Sequence, residues 1–182
     1  GNNEVAISMG SIIEFFLDRI VISKNIDPSK IKKIEIKAIP VRMQMLMSGS
    51  IKLALIPEPL ASKAIKDGAV FLADDRGLDT TATVIMFTGS FISKNSGAME
   101  KFIAAYNKSV NMIKSNPDKF RELLTEKARV PHDIKDKFKV PAFDSVRLPA
   151  EKDVMLVYDW MKGKGMISAP IEYKKITWSP QK

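Results

Sequence analysis

The amino-acid sequence predicts an α/β fold in which a mostly parallel sheet is flanked by helices. Through residues 5–74, short apolar or alternating segments typical of strands take turns with segments whose apolar residues recur at helical spacing. The connections between these segments are short. Short strand–helix–strand units form right-handed crossovers, which make neighbouring strands parallel.

Four strands and three helices are predicted within the first 75 residues. The strands are expected at 5–8, 33–39, 51–57 and 69–74. The first helix runs from residue 11 to about residue 22, because its apolar residues form one stripe. Pro40 opens a second helix through Met47, and a third helix ends at Gly68, a residue suited to a helix C-terminus.

The pattern changes after residue 76. Residues 80–92 form a long β-branched and aromatic stretch that predicts a strand, and the remaining chain is mostly helical. Apolar residues between 99 and 113 form one helical stripe, and further helices open at Pro117, Pro131 and Pro149. We therefore predict two regions, an α/β lobe over residues 1–76 and a strand with a helical segment over residues 77–182.

Composition excludes several kinds of chemistry. The absence of cysteine excludes a disulfide framework, a thiolate nucleophile and a cysteine-ligated metal. The net charge of +8 comes from lysines spread among acids along amphipathic helices, which predicts solvated faces and no nucleic-acid partner. The single histidine, His132, has neither a nucleophile nor metal ligands at readable spacing. We expect no catalytic centre, metal or cofactor, and hence no enzyme.

The candidate binding site lies at three predicted strand-to-helix turns, at residues 8–11, 39–42 and 56–59. In an open parallel sheet, ligands bind outside the carboxyl ends of the strands, where such turns present backbone N–H groups. The side chains and backbone expected to bind ligand are those of Ser8, Met9, Gly10, Ser11, Arg42 and Glu58.

Each of these positions has a structural alternative. Ser11 is also a good helix N-cap, and Arg42 opens a short helix where a surface arginine is common. Glu58 precedes Pro59 at a helix start, where a negative charge is favourable without any ligand. The residues alone leave both interpretations open.

Two longer runs resemble a known family. The run "AISMGSIIEFFLDRI", followed four residues later by "NIDPSKIKKIEIKAIPVRMQMLMSGSIKLALIPEPLASKAIKDGAVFLADD", is similar to the second lobe of periplasmic substrate-binding proteins of ABC importers in the nitrate, sulfonate, taurine and thiamine-pyrimidine family. The later "FISKNSGAMEKFIAAYNKSVNMIKSNPDKFRELL" and "YDWMKGKGMI" resemble the helical return segment of the same family. The resemblance extends from Glu4 to about Trp178.

The resemblance implies a periplasmic or extracellular protein whose two lobes close on a small polar molecule and pass it to an ABC permease. This chain would hold the second lobe, a hinge return near residues 76–84, and C-terminal helices of an incomplete first lobe. Membrane association would come only through a lipid anchor outside this chain. Exposed remnants of the first lobe would favour a homodimer.

The same resemblance suggests roles for the candidate residues. Residues 8–11 would donate to an anionic or carbonyl group, Arg42 would balance a negative charge, and Glu58 would accept from the ligand or brace the hinge. A pyrimidine, amine or other heterocycle that donates to Glu58 is favoured over nitrate or a sulfonate.

Two other functions share this lobe architecture. The lobe also occurs as the ligand-sensing effector domain of LysR-type transcription regulators, which an upstream helix-turn-helix would reveal. It occurs as well in small enzymes, for which turnover of a substrate would be the evidence. A fold by itself does not decide among these functions.

Overall fold

The computed structural model describes residues 4–80 and 82–178, and it divides them into two compact units. Unit 1 takes in the described residues up to Asp79 together with Thr125–Lys139. Unit 2 takes in the described residues from Thr80 to Leu124 and from Val140 onward. The predicted division into an α/β lobe over residues 1–76 and a second region over residues 77–182 stays a prediction.

Unit 1 alternates strands and helices, as its sequence predicts. Its elements are β1 (Glu4–Ile7), α1 (Ile12–Ser23), β2 (Lys32–Glu35), α2 (Ile39–Met47), β3 (Leu53–Ala54) and α3 (Leu60–Lys66), with short 3-10 turns at Pro28–Lys30 and His132–Ile134. The three strands are parallel in the order β2-β1-β3. The predicted α/β class is confirmed.

β1 is the central strand and pairs along both of its edges. Ile7 lies opposite Glu35 of β2, and Ala6 lies opposite Ala54 of β3. The ladder continues past the strand ends, because Ile36 N donates to Ile7 O at 2.9 Å and Leu55 N donates to Ala6 O at 3.1 Å.

The core of unit 1 lies between the sheet and α1. Val5 and Ile7 point to the same face of β1, since side chains alternate along a strand, and they pack with Leu17 and Val21 of α1. Ile13, Ile31, Leu53 and Leu55 surround this cluster. Each fully buried aliphatic side chain stabilises the fold by about 1.5–3 kcal/mol.

Unit 2 is built mainly from helices. They are α4 (Gly89–Lys94), α5 (Ser96–Ser115), the first part of α6 (Pro117–Lys127), α7 (Glu151–Gly163) and α8 (Tyr173–Ile176). Met99 and Val110 of α5 are buried, as the apolar stripe predicts. Among the described residues, every helix is too short or too polar to cross a lipid bilayer.

Three predictions of local structure are wrong. Residues 69–74 and 82–88 are irregular instead of forming strands, and α4 begins at Gly89; Thr81 lies outside the described residues. Val70 and Leu72 are 81% and 71% exposed. A strand needs a neighbour to complete its hydrogen-bond ladder, and β3, at the sheet edge, is only two residues long. Pro131 precedes a single 3-10 turn, not a longer helix.

Arg42 holds the carboxyl ends of the three strands together. Its side chain is fully buried and donates four hydrogen bonds. Nε and Nη2 donate to Ile36 O at 3.1 and 2.8 Å, Nη1 donates to Leu55 O at 2.6 Å, and Nη2 also donates to Ser8 Oγ. These acceptors follow β2, β3 and β1, so one guanidinium joins all three chain segments.

We expect Arg42→Met to lower the free energy of unfolding by about 2–4 kcal/mol, because two partly buried carbonyl groups lose their donors while the apolar volume is roughly kept. Urea denaturation followed by circular dichroism measures the loss. Arg76→Met is the matched control, since the Arg76 side chain is 80% exposed and, among the described residues, forms its ion pair with Asp74 alone. Its expected effect is below about 0.5 kcal/mol. Equal effects of the two variants would contradict the bracing role of Arg42.

An ion-pair cluster attaches the segment Thr125–Lys139 to α3. Lys66 Nζ lies 2.9 Å from Asp133 Oδ2 and donates to Asp133 O at 2.6 Å, and Lys63 Nζ lies 3.0 Å from Asp133 Oδ2. The hydrogen bonds from Lys66 and Lys63 lower the pKa of Asp133 from 3.8 to about 2. Hydrogen bonds to Asp67 and Asp133 raise the pKa of Lys63.

The lowered pKa of Asp133 predicts a pH dependence of stability. A carboxylate whose pKa falls on folding stabilises the protein above its unfolded pKa, and this contribution is lost as the pH falls through the folded pKa. We therefore expect Asp133→Asn to lower the melting temperature by roughly 1–3 °C at pH 7. The difference should persist to about pH 5 and disappear between about pH 4 and pH 2.

Thermal unfolding of both proteins from pH 2 to pH 8, followed by circular dichroism, tests this expectation. Asp136→Asn is the control, because Asp136 is an exposed carboxylate three residues away. A difference between wild type and Asp133→Asn that stayed constant down to pH 2 would show that the carboxylate charge is not responsible.

Candidate functional site at the carboxyl edge of the sheet

The three predicted turns lie at one edge of the sheet. Because β1, β2 and β3 are parallel, their carboxyl ends meet at the same edge. Residues 8–11, 36–38 and 55–59 follow these ends and lead into α1, α2 and α3. The predicted common edge is confirmed, although residues 39–42, assigned to the second turn from sequence, already belong to α2.

The first turn is closed by its own hydrogen bonds. Gly10 has a φ of +64°, in the left-handed region that glycine adopts readily, and its N–H donates to Glu14 Oε2 at 2.8 Å. Ser11 is the N-cap of α1: its Oγ accepts from Ile13 N at 3.1 Å and donates to Ser8 O at 2.6 Å. The capping alternative for Ser11 is what the structure shows, and its contact with ligand stays a prediction.

Ser8 and Met9 differ in what they present to solvent. The half-buried Ser8 hydroxyl donates to Lys37 O at 3.2 Å and accepts from Arg42 Nη2. Met9 is 44% exposed, and Gly10 beside it is exposed as well. Met9 therefore offers a flexible apolar surface at this edge, a type of surface that adapts to ligands of different shape.

Arg42 lies inside the unit and not on its surface. It has no exposed area, and burial lowers the pKa of its guanidinium below the usual arginine value. Arginine remains protonated at all physiological pH values, so a positive charge sits directly beneath the three turns. Arg42 donates a hydrogen bond to the half-buried Ser8 hydroxyl. Its direct contact with a ligand stays a prediction.

Glu58 is exposed and lies just before Pro59, the N-cap of α3, and its side chain accepts from the first turn of that helix. Its carboxylate accepts from Ser62 N at 3.2 Å and from Ser62 Oγ at 2.9 Å, and the following peptide bond, Glu58-Pro59, is cis. The structural alternative for Glu58, a carboxylate that favours a helix start, is therefore observed. The exposed carboxylate still has acceptor capacity, since two oxygen atoms provide about four lone-pair sites.

Sequence reasoning missed a charged cluster that supports the first turn. Glu14 is only 5% exposed, and its Oε1 lies 2.8 Å from Lys33 Nζ of β2. Lys33 Nζ also lies 2.5 Å from Asp18 Oδ1. The spacing of Ser11 and Glu14 fits the capping-box pattern, a signal in the sequence from which the role of Glu14 was predictable.

The donors of the first turn are already used within the chain. The hydroxyl protons of Ser8 and Ser11 and the N–H of Gly10 are all directed at oxygen atoms of the chain itself. Two charged residues of the three turns are exposed, Glu58 and Lys37, and the Lys37 side chain is 78% exposed. Such an arrangement can accept hydrogen bonds from a small molecule. Within residues 4–80 and 82–178, no cluster of acidic or histidine side chains is suited to hold a metal ion.

One protein family matches this sequence. The family described as "NMT1/THI5 like" matches residues 2–120, which is more than half of the chain. No curated protein matches significantly.

Solved structures that share the fold include two sulfonate-binding proteins. The periplasmic aliphatic sulphonate binding protein SsuA from Escherichia coli superposes with a TM-score of 0.81 at 16% identity, covering 98% of this chain and 59% of that one. The alkanesulfonate-binding protein SsuA from Xanthomonas axonopodis pv. citri, bound to MOPS, gives 0.76 at 15% identity, with coverages of 96% and 62%. The chain thus spans about three-fifths of the length of these proteins. It belongs to the NMT1/THI5-like family and has the fold of periplasmic substrate-binding proteins.

Proposed function

We propose that this chain is the greater part of an extracytoplasmic substrate-binding component of an ABC importer, which captures a small polar molecule and delivers it to a permease. The family match and the shared fold support a binding role. The observation that carries the proposal is the convergence of three strand-to-helix turns at one edge of a parallel sheet. This edge is where open α/β sheets bind ligands.

In this proposal the chain supplies the second lobe, a hinge return near residues 76–84 and C-terminal helices of the first lobe. The ligand lies in a cleft between the lobes, with the turns that carry Ser8, Met9, Gly10, Ser11 and Glu58 as one wall. Arg42 does not line this wall but holds the three turns together through its hydrogen bonds. The protein works in the periplasm or at the extracellular face of the membrane.

The proposed ligand is a hydrogen-bond donor, such as a pyrimidine, an amine or another heterocycle. Three donors of the first turn are used within the chain, and Glu58 presents an exposed carboxylate. A sulfonate or nitrate would gain no donor from Ser8, Gly10 or Ser11 and would be repelled by the Glu58 carboxylate, so the exposed ammonium of Lys37 would have to bind it. A ligand with N–H groups would find acceptors in place.

A thermal-shift screen of pyrimidines, polyamines, amino acids and inorganic or sulfonate anions tests both the function and the ligand class. We expect compounds with N–H donors to raise the melting temperature and anions to have little effect, because a ligand that binds only the folded state stabilises it. A screen in which only anions stabilise the protein would contradict the ligand class. Failure of all four groups on the full-length protein would contradict the binding function.

Isothermal titration calorimetry on the full-length protein then tests the site with the compound found in the screen. Glu58→Ala and Ser11→Ala are each expected to weaken binding about tenfold or more, the effect of losing one well-formed hydrogen bond. Glu4→Ala at the first residue of β1 and Ser29→Ala before β2 make the same chemical changes at the opposite edge of the sheet. They should leave the affinity within about twofold. Unchanged affinity in both edge variants would refute the site.

The chain by itself is proposed to form a homodimer through exposed apolar segments. Val70, Phe71 and Leu72 of unit 1 are 81%, 52% and 71% exposed, and the segment 84–87 of unit 2 contains Met86 at 82%. Contiguous apolar surface of this kind is typical of interfaces. Both segments are irregular and have no ladder partner among the described residues, so a second copy offers both apolar contacts and a partner for strand pairing.

Size-exclusion chromatography with light scattering tests this proposal. The wild-type chain, of 20.3 kDa, is expected to show twice that mass at concentrations of about 100 μM. A Val70→Lys and Leu72→Lys double variant should be monomeric, because charge on these segments prevents apolar association. Ile22→Lys with Ile26→Lys, which also replaces two exposed aliphatic residues of unit 1, should still dimerise. A monomeric wild type at every concentration would refute the proposal.

A further inference from the structure

Unit 2 contains an apolar cavity that is separate from the turns of the sheet. Its volume is about 280 Å³. One side is formed by α7, and the rest by the chain segments before and after that helix. The lining is mostly aliphatic and includes Val84, Val154, Val157, Met161, Ile167 and Ile171. This size is at the lower end of the range for small-molecule sites, so the cavity suits a compact ligand.

One carboxylate, that of Asp153, faces this apolar lining. Asp153 lies in the first turn of α7 and is only 8% exposed. Within the described part of the chain, its side chain has no hydrogen-bond or ion-pair partner. Tyr158, which also lines the cavity, donates its hydroxyl to Ala169 O at 3.4 Å and so does not satisfy the carboxylate.

The unpaired Asp153 carboxylate keeps some contact with solvent but lacks the hydration of an exposed group, which is unfavourable in such surroundings. Burial of a charged group is costly unless hydrogen bonds or an opposite charge compensate it. The positive end of α7 offsets part of this cost, since an acidic side chain in the first turn of a helix interacts favourably with the helix dipole. The dipole supplies no hydrogen-bond donor to the carboxylate oxygen atoms, and the apolar walls supply none either.

We propose that this cavity binds a small organic cation, an ammonium group attached to a compact alkyl or aryl body. The ammonium would donate to Asp153 and neutralise it, while the apolar body would fill the space along Val154, Val157 and Met161. Neither part of the site suffices alone, because the lining attracts any apolar molecule and the carboxylate selects the cationic one. The site does not depend on the function proposed for the sheet edge.

Titration of the 182-residue chain with hexylamine, 1-hexanol and hexanoate, followed by two-dimensional NMR, tests the proposal. The three probes share an apolar chain and differ in the charge of the head group. We expect hexylamine to shift signals from α7 and to bind at least tenfold more tightly than hexanol, with no detectable binding of hexanoate. Equal binding of the amine and the alcohol, or no binding of the amine, would overturn the proposal.

Two variants assign the selectivity to the cavity. Asp153→Asn should weaken hexylamine binding about tenfold and leave hexanol binding within twofold, whereas Asp159→Asn, an exposed aspartate on the same helix, should change neither. Val157→Phe fills the cavity and should abolish binding of both probes. Unchanged amine affinity in Asp153→Asn would overturn the proposal. If a variant fails to fold, the amine-to-alcohol ratio of the wild-type chain still decides.

Discussion

One buried guanidinium fixes the geometry of the edge of the sheet in unit 1. Parallel strands end with carbonyl groups whose partners must come from elsewhere, because the chain turns into a helix at that point. Arg42 supplies donors to the carbonyl groups that follow β2 and β3 and to the Ser8 hydroxyl that follows β1. The positions of the three turns depend on this single contact set.

The same bonds limit the chemistry of the edge. The Ser8 hydroxyl accepts a hydrogen bond from Arg42 and donates one to Lys37 O, and Ser11 and Gly10 likewise donate within the chain. Because these hydrogen bonds already hold the three turns in place, little conformational entropy of the turns is lost when a ligand binds. The same property selects against partners that need donors from these three residues.

Much of unit 1 could be predicted from its sequence, because the evidence there is local. The spacing of apolar residues predicted β1 and α1, and turn residues such as Gly10 predicted the three turns. The burial of Arg42 was not predictable in this way: an arginine in the first turn of a helix usually lies on the surface, and only the convergence of three strand ends creates acceptors for it. Residues 69–74 show the opposite error. Their composition favours a strand, but a strand forms only where a neighbour is available.

The hydrogen-bond partners of Arg42 determine which residues at the carboxyl edge of the sheet can be substituted. Two of its three acceptor residues, Ile36 and Leu55, contribute only their main-chain oxygen atoms, which every amino acid possesses. The side chains at positions 36 and 55 can therefore be exchanged without loss of the hydrogen bonds between the guanidinium and the backbone. Proteins with the same fold can thus bind different ligands by changing side chains at this edge, while the backbone positions of the three turns stay the same.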